Sequence, residues 1–325
     1  MKQYRFAILS AGNIADIMAD TLSRMKGELI PYAIGARDKN RAQKMAEKYG
    51  FQKSYGSYEE LVADEQVDVV YVASPHSHHY EHVKLCLNSG KHVLCEKAFT
   101  ANAAQARELV ELAEKKNRFL GEAVWTRFMP FVPKLRKFLD DGVIGEIHSV
   151  QCAFGQNLLH VERMVDPALA GGALLDLGIY PLTLSSIVLG TDIQNITSDA
   201  VISDRGVDVQ NSMTIRYRNG SLASLSSCMA AKMPNDALIC GEKGFIRLKS
   251  FWMCQQFTIE GENEPVSLAC PFEISGYEYE VRATIRALDQ GKLYCDEMPW
   301  EESIRLMEVM DGLRAQWGVK YPFEK

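Results

Sequence analysis

Short hydrophobic runs in the first third of the chain alternate with stretches whose apolar residues recur at helical spacing. Runs at residues 6–9, 30–36, 67–73, 92–96 and 119–123 have the length and composition of buried strands. Strands that alternate with helices at this spacing predict a parallel doubly wound sheet, an α/β fold of the Rossmann type. The intervening helical patterns end at Met25, Tyr49, Ser89 and Lys116.

The pattern changes after about Glu122, where extended stretches begin to follow one another. Asn219-Gly220, which lies between two such stretches, is a strong hairpin signal. We therefore expect an α+β domain with a large, open and mostly antiparallel sheet that carries helices on one face. Strands are predicted at residues 146–154, 196–202, 208–217, 222–229, 236–240, 245–248 and 256–260, and helices at 131–140, 174–189, 277–290 and 300–317.

A length of 325 residues, of which 47% are hydrophobic and 24% charged, suits a globular protein with two domains. The patterns place a dinucleotide-binding domain at residues 1–122 and a substrate-binding and oligomerisation domain at residues 123–325. The last helix is expected either to stay with the second domain or to pack back on the first.

Charge and cysteine content narrow the function classes. The net charge of −6 is spread along the chain without a basic block, so nucleic acid and anionic membranes are not expected partners. We find neither a leader sequence nor an apolar run near the roughly 20 residues that span a bilayer. The eight cysteines form no C-x-x-C pair, which favours reduced thiols and a cytoplasmic location.

A turn after the first strand predicts a phosphate site. The sequence S-A-G-N-I-A at residues 10–15 is a degraded form of the dinucleotide fingerprint G-x-G-x-x-G/A. Ser10 takes the place of the first glycine, Gly12 permits close approach of a pyrophosphate, and Ala15 is small enough for helix–strand packing. The first amides of the next helix, at Asn13 and Ile14, then face the anion.

The end of the second strand bears on the choice between NAD and NADP. Arg37 directly follows the strand, and arginine at this position accommodates the 2′-phosphate of NADP. Asp38 follows, either as an acceptor for the 2′-hydroxyl of NAD or as the start of the next helix. We therefore favour NADP and keep NAD as the alternative.

Four histidines, at positions 76, 78, 79 and 82, follow the third predicted strand. His78 and His82 have the i, i+4 spacing of a helical metal site. No carboxylate or cysteine has a convincing spacing to complete such a site. We expect cofactor or surface contacts here and no metal.

Glu96 and Lys97 end the apolar run that begins at His92. The carboxyl ends of parallel strands open onto the crevice where ligands of such sheets bind, and a partly desolvated lysine can exchange a proton. The alternative is a surface salt bridge at a strand end.

Several motifs in combination resemble the Gfo/Idh/MocA family of glucose–fructose oxidoreductases, inositol dehydrogenases and rhizopine-catabolism proteins. They are the degraded turn, S-P-H-S-H-H at 74–79, C-E-K-A at 95–98 and G-G-A-L-L-D-L-G-I-Y at 171–180. The resemblance covers essentially the whole chain. Residues 121–128 and Tyr180 are similar to the dimeric dihydrodiol dehydrogenase branch, which overlaps with NADP-dependent sugar dehydrogenases.

The resemblance implies that Lys97 is the catalytic lysine and that Ala98 replaces a proline that is usually cis. It also implies that the loop after the third strand runs beside the nicotinamide and ribose, and that the second domain forms a homodimer through its sheet. The expected cofactor contacts are Ser10, Gly12, Asn13, Ile14, Arg37, Ser74, Pro75, His76, His79, Glu96, Lys97 and Trp125.

Asp176 and Tyr180 are four residues apart, so a helix places both side chains on one face. They serve either as a polar first turn with a packing tyrosine or as substrate contacts. The resemblance favours the second view, with Tyr180 as the general acid or base, because a nearby lysine ammonium favours the phenolate. Trp125 and Phe154 are candidate apolar walls, so the expected substrate contacts are Lys97, Trp125, Phe154, Asp176 and Tyr180.

These features predict an NADP-dependent dehydrogenase that acts on a secondary alcohol or carbonyl of a cyclic substrate, such as a sugar, polyol or trans-dihydrodiol. The catalytic residues are expected to be Lys97, Tyr180 and Asp176. The alternative is an NAD(P)-binding sensor of the same fold that has lost catalysis, which the departures at Ser10 and Ala98 motivate.

Overall fold

The computed structural model describes residues 2–261 and 264–324. The chain forms two compact units, and each contains two segments of the sequence. The first unit comprises Met1–Val124 and Glu273–Met307, and the second comprises Trp125–Phe272 and Glu308–Lys325.

The first 124 residues alternate strictly between strand and helix. Six strands form one parallel sheet in the order β3-β2-β1-β4-β5-β6. The elements are β1 (Arg5–Leu9), α1 (Asn13–Arg24), β2 (Ile30–Gly35), α2 (Lys39–Tyr49), β3 (Lys53–Tyr55), α3 (Tyr58–Ala63), β4 (Val69–Val72), α4 (His76–Asn88), β5 (His92–Glu96), α5 (Ala103–Lys116) and β6 (Leu120–Ala123).

This strand order confirms the predicted doubly wound fold and locates its ligand crevice. The chain adds strands outward from β1 to one side as far as β3 and then, from β4, to the other side. The crevice at such a switch point lies beyond the carboxyl ends of the strands. Central strand β4 is buried along its whole length, as expected for a sheet covered on both faces. β3 and α3 were not predicted, because a three-residue edge strand without full burial leaves no apolar run.

The second unit is built around an eight-stranded sheet. The elements of residues 125–272 are α6 (Phe131–Asp140), β7 (Ile147–Gly155), α7 (Glu162–Val165), α8 (Ile179–Leu189), β8 (Ile193–Ile202), β9 (Asp208–Tyr217), β10 (Leu222–Cys228), β11 (Ala237–Gly241), β12 (Gly244–Leu248), β13 (Gln256–Gly261) and β14 (Val266–Ala269). Three 3₁₀ turns (Trp125–Phe128, Pro167–Leu169 and Phe251–Met253) and one π-helix (Leu174–Gly178) complete this region.

The strand order of this sheet is β14-β13-β12-β11-β7-β10-β9-β8. Only β7 and β10 pair in parallel, which confirms the predicted mostly antiparallel sheet. Side chains of β9 alternate between buried and exposed along most of the strand, so one face of the sheet packs on the core and the other does not. Two further helices, α9 (Glu278–Asp289) and α10 (Trp300–Trp317), end the chain.

One helical segment, Pro167–Leu189, has the length and composition of a membrane span, with a mean hydropathy of 1.6. The expectation that no apolar run approaches that length was therefore wrong for this segment. Because 89% of its apolar window is buried inside the protein, it has the character of a core helix and is weak evidence for a membrane.

Candidate functional site

The turn between β1 and α1 leaves the start of α1 ready to bind an anion. Gly12 is the N-cap of α1 and supplies no side-chain cap, so the amides of the first turn, which contains Asn13 and Ile14, have no capping side chain. A methyl group added at Gly12 would meet only the Ser10 Oγ, at 3.7 Å. No neighbouring atom of the protein therefore requires glycine at this position, and the expected contact with a phosphate stays a prediction.

Ser10 makes the sharp bend before this helix. Its φ of 112° lies in a region that favours glycine, which agrees with its place as the first glycine of the fingerprint. Its amide donates to the Gly35 carbonyl at 2.9 Å. The turn is thus attached to the end of neighbouring strand β2.

Two arginines lie beyond the end of β2. Arg37 is exposed, while the Asp38 carboxylate caps α2 by accepting from the amides of Asn40 and Arg41 at 2.9 and 3.3 Å. The Arg41 Nη2 donates to the Ala11 carbonyl of the phosphate turn at 2.6 Å. Burial raises the pKa of Tyr58, and the charges of Arg37 and Arg41 oppose that rise.

Arg41 was missed in the sequence, although its position gave a signal. It lies one helical turn after the N-cap Asp38, and side chains of the first turn of such a helix face the same end of the sheet as Arg37.

The segment after β4 is fixed by buried histidines. His79 is fully buried, and its Nδ1 and Nε2 contact the carbonyl oxygens of Ala98 and Ser74 at 2.8 and 2.7 Å. Burial lowers the pKa of His79 to about 4, against the effect of these carbonyls. His82 contacts the Ser74 Oγ at 2.9 Å. These contacts indicate that His79 acts on the expected cofactor site by joining the ends of β4 and β5.

Lys97 follows the last residue of β5 and is half-buried. The preceding Glu96 is buried, and its carboxylate accepts a hydrogen bond from the Tyr71 hydroxyl on β4. The Lys97–Ala98 peptide bond is cis. The Phe99 amide donates to the Glu122 carboxylate at 2.9 Å, so residues on both sides of Lys97 are hydrogen-bonded to neighbouring strands.

A second buried carboxyl group accompanies Glu96 in the same unit. Glu280, on α9, is fully buried, and neither of its oxygens has a hydrogen-bond partner among the described residues. Burial, and then the negative charge of Glu96, raise the pKa of Glu280 well above its ordinary value. Both effects favour the protonated, neutral form of this carboxyl group in the folded protein. Glu280 was not among the residues singled out in the sequence.

In the second unit, Asp176 lies in the π-helix and Tyr180 in the first turn of α8. The regular helix predicted from residue 174 thus begins with five residues in a π conformation, a form that recurs at functional sites. Asp176 is buried, and its two oxygens accept from the guanidinium of half-exposed Arg163 at 3.2 and 3.4 Å.

Tyr180 contacts one end of a small cluster of aromatic rings. The Phe154 ring meets it edge-on at 5.3 Å between centroids and stacks on Trp252 at 4.5 Å. Trp252 was not predicted, since a single tryptophan between two strands gives no spacing signal. Trp125 instead packs against Phe272, with 6.5 Å between ring centroids.

The predicted residues thus fall into two groups, one in each unit. Residues of the first group lie at the carboxyl ends of β1, β2, β4 and β5 or in the turns and helix starts that follow these strands: Ser10, Gly12, Asn13, Ile14, Arg37, Ser74, Pro75, His76, His79, Glu96 and Lys97. In the second unit the structure brings together Phe154 with Tyr180, and Asp176 with Arg163.

None of the four clustered histidines belongs to a group that could hold a metal. Across residues 2–261 and 264–324, one set of three has suitable spacing: Glu146, His148 and Glu242. All three are exposed, on the second unit, and none of them was predicted as a site residue.

Comparison with known families gives two matches along the chain. Residues 4–123 match the oxidoreductase family with an NAD-binding Rossmann fold, GFO_IDH_MocA. Residues 132–247 match the GFO/IDH/MocA C-terminal domain. The first match establishes a nicotinamide dinucleotide-binding domain.

Curated relatives match over the full length. The chain is 36% identical to trans-1,2-dihydrobenzene-1,2-diol dehydrogenases of Mus musculus, over 329 residues, and of Homo sapiens, over 334 residues, with 99% of each chain covered.

Among solved structures, KijD10, a 3-ketoreductase from Actinomadura kijaniata in complex with NADP and TDP-benzene, is 26% identical with a TM-score of 0.88, covering 97% of this chain and 98% of its own. An aldose-aldose oxidoreductase from Caulobacter crescentus shares the fold, with a TM-score of 0.88 at 19% identity and 97% of each chain covered. The motifs, the two sheets and these matches agree, and the chain belongs to the GFO/IDH/MocA family of oxidoreductases.

Proposed function

We propose that this protein is an NADP-dependent dehydrogenase that interconverts a secondary alcohol and a carbonyl on a cyclic substrate, either a sugar or a trans-dihydrodiol. The observation that carries the proposal is the setting of Lys97. It is half-buried at the carboxyl end of β5, at the end of the sheet where this fold binds ligands, and hydrogen-bonded residues flank it on both sides.

The residues of the first unit fit NADP. The uncapped start of α1 and the space above Gly12 suit the pyrophosphate. Arg37 and Arg41 suit the 2′-phosphate, which guanidinium groups bind with paired hydrogen bonds. Asp38, the residue that NAD would require, already caps α2. When bound, the nicotinamide supplies hydride transfer.

The protein's own residues would then orient the substrate and move a proton. In this proposal Tyr180 exchanges the hydroxyl proton, Lys97 orients the substrate oxygen with its positive charge, and Asp176 holds a further hydroxyl. The Arg163 guanidinium holds both oxygens of Asp176. Asp176 is thereby oriented as an acceptor before any substrate binds.

The proposed substrate class is supported by the names of the relatives and by the rings near Tyr180. The curated relatives are named for a benzene dihydrodiol, and KijD10 was solved with a nucleotide-linked benzene in place. Phe154, Trp252 and Tyr180 form a contiguous set of rings, a surface suited to a flat or cyclic substrate.

Steady-state oxidation of trans-1,2-dihydrobenzene-1,2-diol and of D-xylose, each with NADP⁺ and with NAD⁺, tests the proposal. We expect turnover of at least one substrate, with higher kcat/KM for NADP⁺, and loss of that preference in Arg37→Ala and Arg41→Ala. Lys97→Met and Tyr180→Phe should lower kcat strongly, and a double-mutant cycle should show that the two residues act together.

Lys84→Met is the matched control, because it removes a lysine charge from the surface of α4. Tight NADPH binding without turnover of any carbonyl in a broad panel would instead favour the sensor alternative. Unchanged turnover in Lys97→Met would refute the assigned role of this lysine.

We also propose that the second unit forms a homodimer through the uncovered face of its sheet. Three large hydrophobic side chains near the β8–β10 side of that sheet are exposed: Val201, Ile202 and Leu222. Light scattering coupled to gel filtration should give twice the chain mass of 36.5 kDa. Leu222→Asp should shift the protein towards the monomer, and a monomeric wild type would contradict the proposal.

A further inference from the structure

A chain of buried polar side chains lies under the π-helix that carries Asp176. It begins at Asp208, the first residue of β9, whose Oδ2 accepts from the Leu174 amide and from the Asn211 Nδ2, both at 2.8 Å. The Asn211 Oδ1 in turn accepts from the Ser227 Oγ at 3.0 Å. Asn211 and Ser227 are directly paired across β9 and β10, so the two strands hold the polar chain in register.

The glycines at both ends of the π-helix pack directly on this polar chain. Gly172 has a φ of 128°, and a methyl group added there would lie 2.3 Å from the Asp208 Oδ1. At Gly178 an added methyl group would lie 3.2 Å from the Ser227 Oγ. The backbone of residues 172–178 therefore rests on Asp208 at one end and on Ser227 at the other, without space for an intervening side chain.

Burying such polar groups costs free energy unless hydrogen bonds satisfy them. Asp208, Asn211 and Ser227 are all essentially inaccessible to solvent, and the Asp208 Oδ1 has no hydrogen-bond partner among the described residues. A hydrophobic contact would stabilise the core at least as well. The position that the polar chain fixes is that of Leu174, the first residue of the π-helix.

We propose that Asp208, Asn211 and Ser227 are positioning residues, which hold the π-helix in register and thereby set the positions of Asp176 and Tyr180. The inference rests on the roles proposed above for these two residues. Asp208 fixes the first amide of the π-helix, Asp176 lies two residues later, and Tyr180 lies two residues after the end of the helix at Gly178. A shift of the π-helix displaces both groups together.

The experiment compares Asp208→Ala, Asp208→Asn, Ser227→Ala and Ser221→Ala with the wild type, at a temperature at which each is folded. Asn at 208 keeps an acceptor for the Leu174 amide and for the Asn211 Nδ2 when its side-chain oxygen takes the place of the Asp208 Oδ2. Ser221 is the matched control: it is a buried serine next to the other end of β10, where its Oγ donates to the Ile147 carbonyl at 2.7 Å.

Asp208→Ala should lower kcat on the order of a hundredfold, the effect of a displacement of about 1 Å at a reacting centre. Ser227→Ala should lower kcat less, while Asp208→Asn and Ser221→Ala should stay near the wild type. Affinity for NADPH, measured by fluorescence titration, should not change in any variant. Equal kcat losses in Ser227→Ala and Ser221→Ala would show a purely structural role and overturn the proposal.

Hydrogen exchange measured by mass spectrometry separates this inference from the proposed function. Peptides that cover residues 170–182 should lose amide protection in Asp208→Ala and Ser227→Ala, but not in Ser221→Ala, whether or not a substrate is turned over. Unchanged protection in all variants would overturn the positioning role. An inactive wild type with the expected exchange pattern would overturn only the assigned activity. If Asp208→Ala does not fold, Ser227→Ala still decides.

Discussion

Replacement of Asp208 by asparagine should change how stability depends on pH. Burial raises the pKa of Asp208 from 3.8 to about 7, against the hydrogen bonds from Asn211 and the Leu174 amide and the charge of Arg314. The folded state therefore keeps a proton that the unfolded state releases above pH 3.8. Stability conferred below that pH is lost as the pH rises to about 7.

The size of this effect follows from the two pKa values. Each pH unit between them lowers the free energy of unfolding by about 1.4 kcal/mol, so the wild type loses about 4 kcal/mol across the interval. Asparagine cannot ionise. The stability of Asp208→Asn relative to the wild type should therefore increase by about 2 kcal/mol between pH 5 and pH 7, because Asp208 is already half ionised in the folded wild type at pH 7.

Urea unfolding of both proteins at half-unit steps from pH 5 to pH 8 measures this difference. Tyrosine fluorescence and circular dichroism should be followed together, because two compact units need not unfold in one transition. Ser221→Ala is the control, since it removes a buried hydrogen bond without removing a titratable group. A constant difference between wild type and Asp208→Asn across this range would refute the reasoning.

Three further outcomes are expected. Gly12→Ala should fold with nearly unchanged stability, because the nearest neighbour of its added methyl group is 3.7 Å away. It should bind NADPH far more weakly in a fluorescence titration, and equal affinity would contradict the proposed phosphate role. Ser10→Gly should raise the free energy of urea unfolding by about 1 kcal/mol, because the backbone strain removed at a φ of 112° exceeds the conformational entropy cost of glycine. A destabilised variant would show that the bend is not strained. The stability of Glu280→Gln relative to the wild type should increase as the pH rises above 4.5, since the folded-state pKa of Glu280 is raised. Parallel curves of unfolding free energy against pH for the two proteins would rule this out.

The first sheet could be predicted from the sequence because its central strands are buried on both faces. Such strands read as unbroken apolar runs, as in β4. The edge strand β3 escaped prediction, because three partly exposed residues carry no such signal. Lys97 was singled out because it directly follows an apolar run, and this position is visible in the sequence without knowledge of the fold.

The support of the site was not predictable in the same way. Asp208 follows Val207 at a strand start and looks like an ordinary turn residue, and only the folded sheet brings it to the Leu174 amide. The π-helix leaves no mark in the spacing of apolar residues, since its segment is apolar almost throughout. In the sequence Glu280 resembles a solvent-exposed charged residue of a helix, and only the folded structure shows that this face of α9 is buried.

The helix cap at Asp38 limits how the cofactor preference of this enzyme could be redesigned. Its carboxylate satisfies two amides at the start of α2, so turning it towards a ribose would uncap that helix at a cost of about 1 kcal/mol. An engineer who wants NAD should therefore leave Asp38 alone and introduce the acid one residue earlier, as Arg37→Glu. That exchange would remove the proposed phosphate contact of Arg37 and introduce a carboxylate that can accept from a ribose hydroxyl, and the helix would keep its cap.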